Sequence, residues 1–346
     1  MLVLIGDFGI KMKNVSSKKR ILNDHLHFTN HHFMNYIKEL NMEPGKAICY
    51  SGFREGQHPG GVFPSYEEIK EDLLILHNHW KYLRLYDCDK HAEIVLEVIR
   101  KEKFNFKVML GAYIVAEANN YGCPWGGSYS EDQLIKNKTI NLNQIKKLIH
   151  MANTYPDIIF SLSAGNEACV DWTDHYVPVE SVIKYVRMIK MGAEQPVTFC
   201  ENYLPWLDKL KDLVKEVDFI SIHTYPVWEY KNIHEAMEYT KQNYYSVADT
   251  YPNTPVVITE AGWTTYSNGR GICPSNVSEE YQKIYYNDLV EWSQEADILT
   301  FVFEAFDESW KGSNEALEPE KHWGLFTVDR KPKLVMRELI SLQNQF

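Results

Sequence analysis

The stretch Val256-Val-Ile-Thr-Glu260-Ala-Gly-Trp263 joins a run of β-branched residues to an acid, a glycine and a tryptophan. Residues 256–259 favour a β-strand, and Gly262 ends that element two residues after Glu260. The sequence therefore predicts that Glu260 stands at the carboxyl end of a strand. In a parallel barrel this edge is the catalytic face, because the strands hold side chains in place while the following loops vary.

A second segment has the same character. In Ser161-Leu-Ser-Ala-Gly-Asn166-Glu167 an apolar strand pattern ends in a glycine, an amide and an acid. A pair of carboxylates at strand ends is what glycosidic bond cleavage requires, because one must protonate the leaving oxygen while the other attacks or supports the oxocarbenium-like carbon. We predict Glu167 and Glu260 as the catalytic pair. Asn166 beside them is suited to a sugar hydroxyl, with a helix cap as the alternative.

The chain repeats a unit of strand followed by helix. Predicted strands cover residues 46–50, 82–86, 106–111, 158–164, 196–200, 219–223, 256–259 and 298–303, and predicted helices include one opened by Ser65 and others over 90–103, 141–153, 178–191 and 333–342. This order predicts a single (β/α)8 barrel over residues 43–346, after an N-terminal extension over residues 1–42. A doubly wound open sheet is the alternative, but no G-x-G-x-x-G follows the first strand.

Composition limits the partners. The net charge of −11 predicts that the protein does not bind nucleic acid. The first residues make a poor signal peptide and no membrane span, so we expect no membrane partner and favour a cytoplasmic location, with a secreted or periplasmic one as the alternative. The six cysteines include no C-x-x-C pair, which favours free, buried thiols. We expect a monomer.

Several motifs together resemble glycoside hydrolase family seventeen. They are Ala-Gly-Asn166-Glu167, Thr-Glu260-Ala-Gly-Trp263, Phe303-Glu-Ala-Phe-Asp-Glu308-Ser-Trp-Lys311 and Glu320-Lys-His-Trp-Gly-Leu-Phe326. Arg84-Leu-Tyr86 precedes them and His223-Thr-Tyr225-Pro lies between the first two, each in the expected order. The resemblance runs from about Ala47 to Phe326. Acidic Glu304 and the pair Asp307-Glu308 differ from plant members and place the chain nearer the microbial branch.

The resemblance implies a retaining hydrolase or glucanosyltransferase that acts on β-1,3-glucan and needs no metal or cofactor. It implies that Glu260 is the nucleophile and Glu167 the acid/base. It also implies that the subsite next to the cleaved bond is lined by Tyr86, Asn166, Tyr225, Glu308, Lys311, Glu320 and Trp323.

The residues themselves support further candidates. Tyr225 neighbours Glu260, so its hydroxyl can donate to the nucleophile and keep it ionised. Lys311 has three acids nearby, Glu304, Asp307 and Glu308, which indicates either a surface salt bridge or a substrate-binding group on the catalytic face.

Tryptophans are candidates for sugar stacking. A β-1,3-glucan chain curves, and Trp263, Trp310 and Trp323 on different loops are predicted to form platforms at changing angles, with core packing as the alternative for each. The expected partner is a β-1,3-glucan polysaccharide or oligosaccharide. The competing hypotheses are a glucanosyltransferase, a barrel glycosidase acting on another β-glucan or mannan, and a non-catalytic glucan-binding barrel.

Overall fold

Parallel strands close into an eight-stranded barrel in the computed structural model, which describes residues 42–343. The strands are β1 (Ala47–Cys49), β2 (Tyr82–Leu85), β3 (Lys107–Gly111), β4 (Ile159–Asn166), β5 (Val197–Asn202), β6 (Ile220–Thr224), β7 (Val256–Ala261) and β8 (Thr300–Val302). The barrel closes where β1 pairs with β8, with Ala47 opposite Phe301. The predicted (β/α)8 fold is confirmed.

Helices follow the strands around the outside of the barrel. Within the described residues they are α1 (Tyr66–Leu76), α2 (Lys90–Glu102), α3 (Glu131–Thr154), α4 (Val179–Gly192), α5 (Tyr203–Leu207), α6 (Ile233–Thr250), α7 (Glu279–Glu295) and α8 (Leu334–Gln343). The predicted capping box at the start of α1 is present, with Ser65 and Glu68 each accepting from the other's backbone amide. The predicted start of α3 at Asn141 was wrong. That helix begins ten residues earlier, because Ser130 caps it by accepting from the Gln133 amide.

The strands are buried on both faces, against the barrel interior on one side and the helices on the other. This double burial explains why they read as continuous apolar runs rather than as alternating ones. Polar residues within the strands, such as Arg84, His223 and Glu260, are therefore costly unless they are paired. All three lie toward the carboxyl ends of their strands.

Both strands that carry the predicted acids have irregular register near their carboxyl ends. The β4–β5 register shifts between Ser163 and Asn166, and the β7–β8 register shifts between Ile258 and Ala261. Such bulges re-aim the side chains that follow them. The glycine after Glu260 is required by packing, since a Cβ on Gly262 would lie 2.0 Å from the Phe303 carbonyl oxygen.

A buried ion network fixes the long loop after β1. Arg330 donates to the buried carboxylate of Asp72 from Nε and Nη2, at 2.7 Å each, and its Nη2 also donates to the Gly52 carbonyl at 2.8 Å. Arg54 donates to Asp72 at 3.0 Å. These bonds tie the loop to α1 and to the segment before α8, so the loop is held at the rim of the barrel.

Other predictions have mixed outcomes. The proposed N-terminal extension lies almost wholly outside the described residues. Within those residues all six cysteines are free, and five are buried, whereas Cys273 is exposed. No helix in the described part of the chain is long and apolar enough to cross a membrane.

Candidate active site

The two predicted acids converge at the carboxyl ends of β4 and β7. Glu260 lies within β7, and Glu167 directly follows β4. One carboxylate oxygen of each, together with a ring nitrogen of His223, lies within 4.8 Å of the others. The structure thus brings the two acids together, with a histidine between them.

Glu260 is kept ionised by its neighbours. Only 4% of the residue is exposed, and its carboxylate accepts from the Arg84 guanidinium and the Tyr225 hydroxyl. Burial raises the pKa of Glu260, but the charges of His223 and Arg84 and the hydrogen bond from Tyr225 outweigh burial and lower it. The predicted contact from Tyr225 is present.

Glu167 has a different environment. Its side chain is 28% exposed, and its Oε1 lies 2.7 Å from His223 Nδ1. The same ring nitrogen lies 3.4 Å from Glu260 Oε2. The two carboxylates therefore differ in solvent access and in the number of their partners, although they share His223.

His223 was absent from the predicted site residues. It is fully buried at the end of β6, and although burial lowers its pKa, the charge of Glu260 and its contacts with Cys200 and Glu167 raise the pKa to about 10. Glu167, His223 and Glu260 thus form a hydrogen-bonded cluster of charged groups.

Arg84 was also absent from that prediction. Its guanidinium contacts both Glu260 and the side-chain oxygen of Asn166, and it lies 4.3 Å from the centroid of the Tyr86 ring. Arg84 thus joins the ends of β2, β4 and β7. Asn166 belongs to this network and is not a helix cap. A cation inside an apolar strand was the available signal, since a buried arginine requires a partner.

A second charged cluster follows β8. Lys311 Nζ lies 3.1 and 3.0 Å from the two oxygens of Glu304 and also contacts Glu308. Burial and the charge of Glu308 hold the pKa of Glu304 well above its usual range, whereas Lys311 outweighs burial and lowers the pKa of Glu308. The charged form is therefore favoured at Glu308 and disfavoured at Glu304. The surface salt bridge alternative is excluded, because both acids are buried.

Two further acids, Glu320 and Asp307, have different surroundings. Burial raises the pKa of Glu320 to about 7, and the charges of Glu167 and Glu260 act in the same direction. Asp307 was predicted to lie near Lys311, but the two residues do not form an ion pair. Asp307 instead accepts from Lys333 at 2.7 Å and from the Gly324 amide at 2.9 Å, which is a structural role at the back of the loop.

The tryptophan predictions need correction. Trp263 is 1% exposed, donates from Nε1 to the Asn276 carbonyl at 3.1 Å and packs on Tyr285, so it belongs to the core and offers no face to a sugar. Trp323 is also 1% exposed and packs edge-on against Tyr225, with ring centroids 5.1 Å apart. It supports Tyr225 rather than forming an open platform.

Trp310 is the tryptophan of the three that presents an open face. It is 40% exposed, its Nε1 donates to Glu308 at 3.0 Å, and its ring meets Phe53 from the β1 loop in an edge contact. Exposed aromatic residues that were not predicted also stand on the loops after β3 and β4, and these are Tyr113, Tyr121, Trp125 and Trp172.

Comparison with known proteins places this geometry in a family. A family model described as the BtgE/BtgC glycoside hydrolase domain matches residues 47–324. The chain belongs to the BtgE/BtgC glycoside hydrolase domain family. The match spans the barrel from β1 to the loop that carries Glu320, so this glycoside hydrolase contains all the strands that build the site.

Individual relatives and solved structures are similar to this chain at low sequence identity. The chain is 25% identical over 302 residues to a glucan 1,3-beta-glucosidase of Arthroderma benhamiae, covering 82% of this chain and 88% of the relative. It is 25% identical to the probable glucan endo-1,3-beta-glucosidase btgC of Aspergillus flavus, covering 78% of this chain but only 40% of that longer protein. The crystal structure of an endo-laminarinase from Formosa superposes with a TM-score of 0.72 at 29% identity, covering 86% of each chain.

The hydroxyl of Tyr225 gives a first prediction. Replacing Tyr225 with Phe removes a donor to the Glu260 carboxylate, so the pKa of Glu260 should rise by roughly one unit. The acid limb of the kcat/KM profile against pH should move upward by the same amount, because Glu260 then protonates at higher pH. Tyr86→Phe is the matched control for the position of the acid limb, since it removes a buried tyrosine hydroxyl that does not donate to Glu260. An unchanged acid limb in Tyr225→Phe would contradict the role of the Tyr225 hydroxyl in keeping Glu260 ionised.

Proposed function

We propose that this chain is a retaining hydrolase of β-1,3-glucan that belongs to glycoside hydrolase family seventeen. The observation that carries the proposal is the close pair of unlike carboxylates, Glu167 and Glu260, joined by His223. The motifs around Glu167, Glu260 and Lys311 support the family, and the glucan-directed names of the relatives support the substrate class.

The spacing of the acids supports retention. Retaining glycosidases hold their two carboxyl groups about 5 to 5.5 Å apart, whereas inverting enzymes separate them by roughly 6.5 to 9.5 Å to admit a water molecule. Oxygens of Glu167 and Glu260 lie within 4.8 Å of each other. This gap favours direct attack on the sugar and leaves little room for a water molecule between the acid and the anomeric carbon.

The environments of the acids assign their roles. Glu260, which is buried and has a lowered pKa, is the nucleophile, because an ionised carboxylate must attack the anomeric carbon. Glu167 is more open to solvent, so it can exchange protons between the two steps of the reaction. This asymmetry is typical of sites in which two carboxyl groups perform different tasks.

His223 holds the two acids in place. Its Nδ1 lies 2.7 Å from Glu167 Oε1 and 3.4 Å from Glu260 Oε2, so it orients both carboxyl groups. Glu167 is open to solvent and can take from it the proton that the leaving oxygen requires. Glu260 stays ionised until it attacks, because Arg84, His223 and Tyr225 stabilise its charge.

The reaction then proceeds in two displacements. Glu260 attacks the anomeric carbon while Glu167 protonates the departing glycosidic oxygen, which leaves a glycosyl ester on Glu260. Glu167, now a carboxylate, removes a proton from water, which attacks the same carbon and releases Glu260. The buried cluster of Glu304, Glu308 and Lys311 beside the nucleophile offers acceptors and donors to the hydroxyl groups of the donor sugar.

Chemical rescue tests these roles. Glu260→Ala should abolish turnover, and added azide should restore part of it and produce the α-glycosyl azide, because azide then attacks in place of the carboxylate. Glu167→Ala with azide should instead give the β-azide on an activated substrate, since the ester on Glu260 still forms. Proton NMR of the products identifies the anomers. A β-azide from Glu260→Ala would reverse the assignment.

A substrate panel tests the choice of glucan. We expect laminarin to be cleaved faster than cellulose, mannan or mixed-linkage glucan, as measured by the release of reducing ends at equal mass of polysaccharide. Faster cleavage of cellulose or mannan would contradict the substrate proposal even with both acids confirmed. Products longer than a supplied laminari-oligosaccharide would identify transfer to a sugar acceptor in place of hydrolysis.

Trp310 gives a separate prediction about binding. Its ring is held by contacts with Glu308 and Phe53, and Glu308 belongs to the cluster with Glu304 and Lys311. The ring can therefore stack on a sugar without losing further side-chain freedom. Trp310→Ala should weaken binding of laminari-oligosaccharides by about 1 to 3 kcal/mol, as measured by calorimetry on a Glu260→Ala background. Trp310→Phe, which retains an aromatic face, should lose less. Equal losses in the two variants would contradict stacking.

A further inference from the structure

The backbone of Glu167 is in a conformation that ordinary residues seldom adopt. Its φ is +44°, in the left-handed region that favours glycine, and it follows Gly165, whose φ is +146°. Neighbouring backbone groups bind this segment on two sides. The Glu167 amide donates to the Cys200 carbonyl at 2.9 Å, and the Val177 amide donates to the Ala168 carbonyl at 2.8 Å. A strained residue of this kind persists only where its surroundings fix it.

His175, on the loop between β4 and α4, binds the same segment from a third side. Its Nε2 lies 3.0 Å from the carbonyl oxygen of Asn166, and because a carbonyl can only accept, Nε2 carries the proton in this bond. The opposite nitrogen, Nδ1, lies 2.9 Å from Asp174 Oδ1 and 3.0 Å from Thr173 Oγ1. The ring also packs on Tyr113, with centroids 5.0 Å apart. The imidazole is therefore fixed in both position and orientation.

The Asn166 carbonyl matters because it belongs to the peptide group that joins Asn166 to Glu167. A peptide group is planar, so a hydrogen bond to its oxygen fixes the rotation of the whole plane. The φ angle of Glu167 measures rotation about the N–Cα bond that starts from this plane. If it rotates, the Cα–Cβ bond of Glu167 changes direction, and the carboxyl group moves relative to the glycosidic oxygen that it must protonate.

We propose that His175 is a positioning residue for the acid/base Glu167, acting through the Asn166 carbonyl. This inference rests on the proposed function, because it concerns the proton that Glu167 delivers. His175 contacts neither Glu167 nor Glu260 in the bonds described above. Its effect is therefore expected on proton donation and not on the nucleophilic attack.

The test uses two substrates that differ in their need for a proton. Phenyl β-laminaribioside releases a basic phenolate and requires protonation by Glu167, whereas 2,4-dinitrophenyl β-laminaribioside releases a stable anion without it. Both place an aromatic ring at the same subsite, so a change in sugar binding affects them alike. The readout is the ratio of the two kcat/KM values, which does not depend on the folded fraction of a variant.

Two replacements separate the nitrogens of the ring. The amide nitrogen of Gln can occupy the position of Nε2 and reach the Asn166 carbonyl, whereas that of Asn corresponds to Nδ1 and cannot. His175→Asn should lower kcat/KM about 10- to 100-fold for the phenyl substrate, in the range expected for a misplaced general acid, and change it less than about threefold for the dinitrophenyl substrate. His175→Gln should restore most of the loss.

The opposing results are equally definite. Equal losses on the two substrates, no loss in His175→Asn, or a His175→Gln variant that behaves like His175→Asn would each overturn the positioning role. The unmodified enzyme provides the separate test of the proposed function. If it cleaves neither laminaribioside and has no activity on laminarin, the proposed function fails, whatever the variants do.

Discussion

An ionised carboxylate buried next to a second carboxylate is the constraint on which this site depends. Removing a charge from water is costly unless the charge is paired and hydrogen-bonded. Glu260 meets this requirement through Arg84, His223 and Tyr225, each of which contacts or closely approaches its oxygens. Removing one of these partners would leave an uncompensated charge, so the site tolerates few changes although it lies at the rim of the fold.

Because the partners of Glu260 come from different strands, the closure of the barrel determines the site. Arg84 lies on β2 and His223 on β6, while Glu260 lies on β7 and Glu167 directly follows β4. A barrel holds these strand ends at fixed separations, which loops alone cannot do. The bulges on β4 and β7 then adjust where each acid points. The barrel sets the distances between the strand ends, and the bulges set the direction of each acid.

The fold and the strand-end positions of Glu167 and Glu260 were predictable because each depends on local sequence. Strand patterns that end in an acid, repeated between helices, are visible without coordinates. Tyr225 was predicted as a partner of Glu260, but Arg84 and His223 were not, since Arg84 and Glu260 lie 176 positions apart and their contact depends on strand register. Asp307 and Lys311 illustrate the converse. They are neighbours in sequence, but the chain turns between them, and Asp307 pairs with Lys333 instead.

Burial was the least predictable property of the site residues. Trp263, Trp310 and Trp323 all follow a strand end, and sequence alone gives no reason to treat them differently. In the structure Trp263 and Trp323 are buried, and only Trp310 of the three faces outward. The difference arises from the path of the loops after β7 and β8, which is decided by long-range contacts. Helix α3 began early for a simpler reason, because its polar first turns hide the start that Ser130 marks.

The charge balance of the site bears on the transition state of the proposed reaction. The carboxyl groups are Glu167, Glu260, Glu304, Glu308 and Glu320, and they outnumber the cations Arg84, His223 and Lys311. The raised pKa values of Glu304 and Glu320 reduce this excess, because a carboxyl group that keeps its proton carries no charge. In the proposed reaction the ionised Glu260 would stabilise the positive charge that develops on the sugar ring in the transition state more than it stabilises the neutral ground state, which is the condition for catalysis.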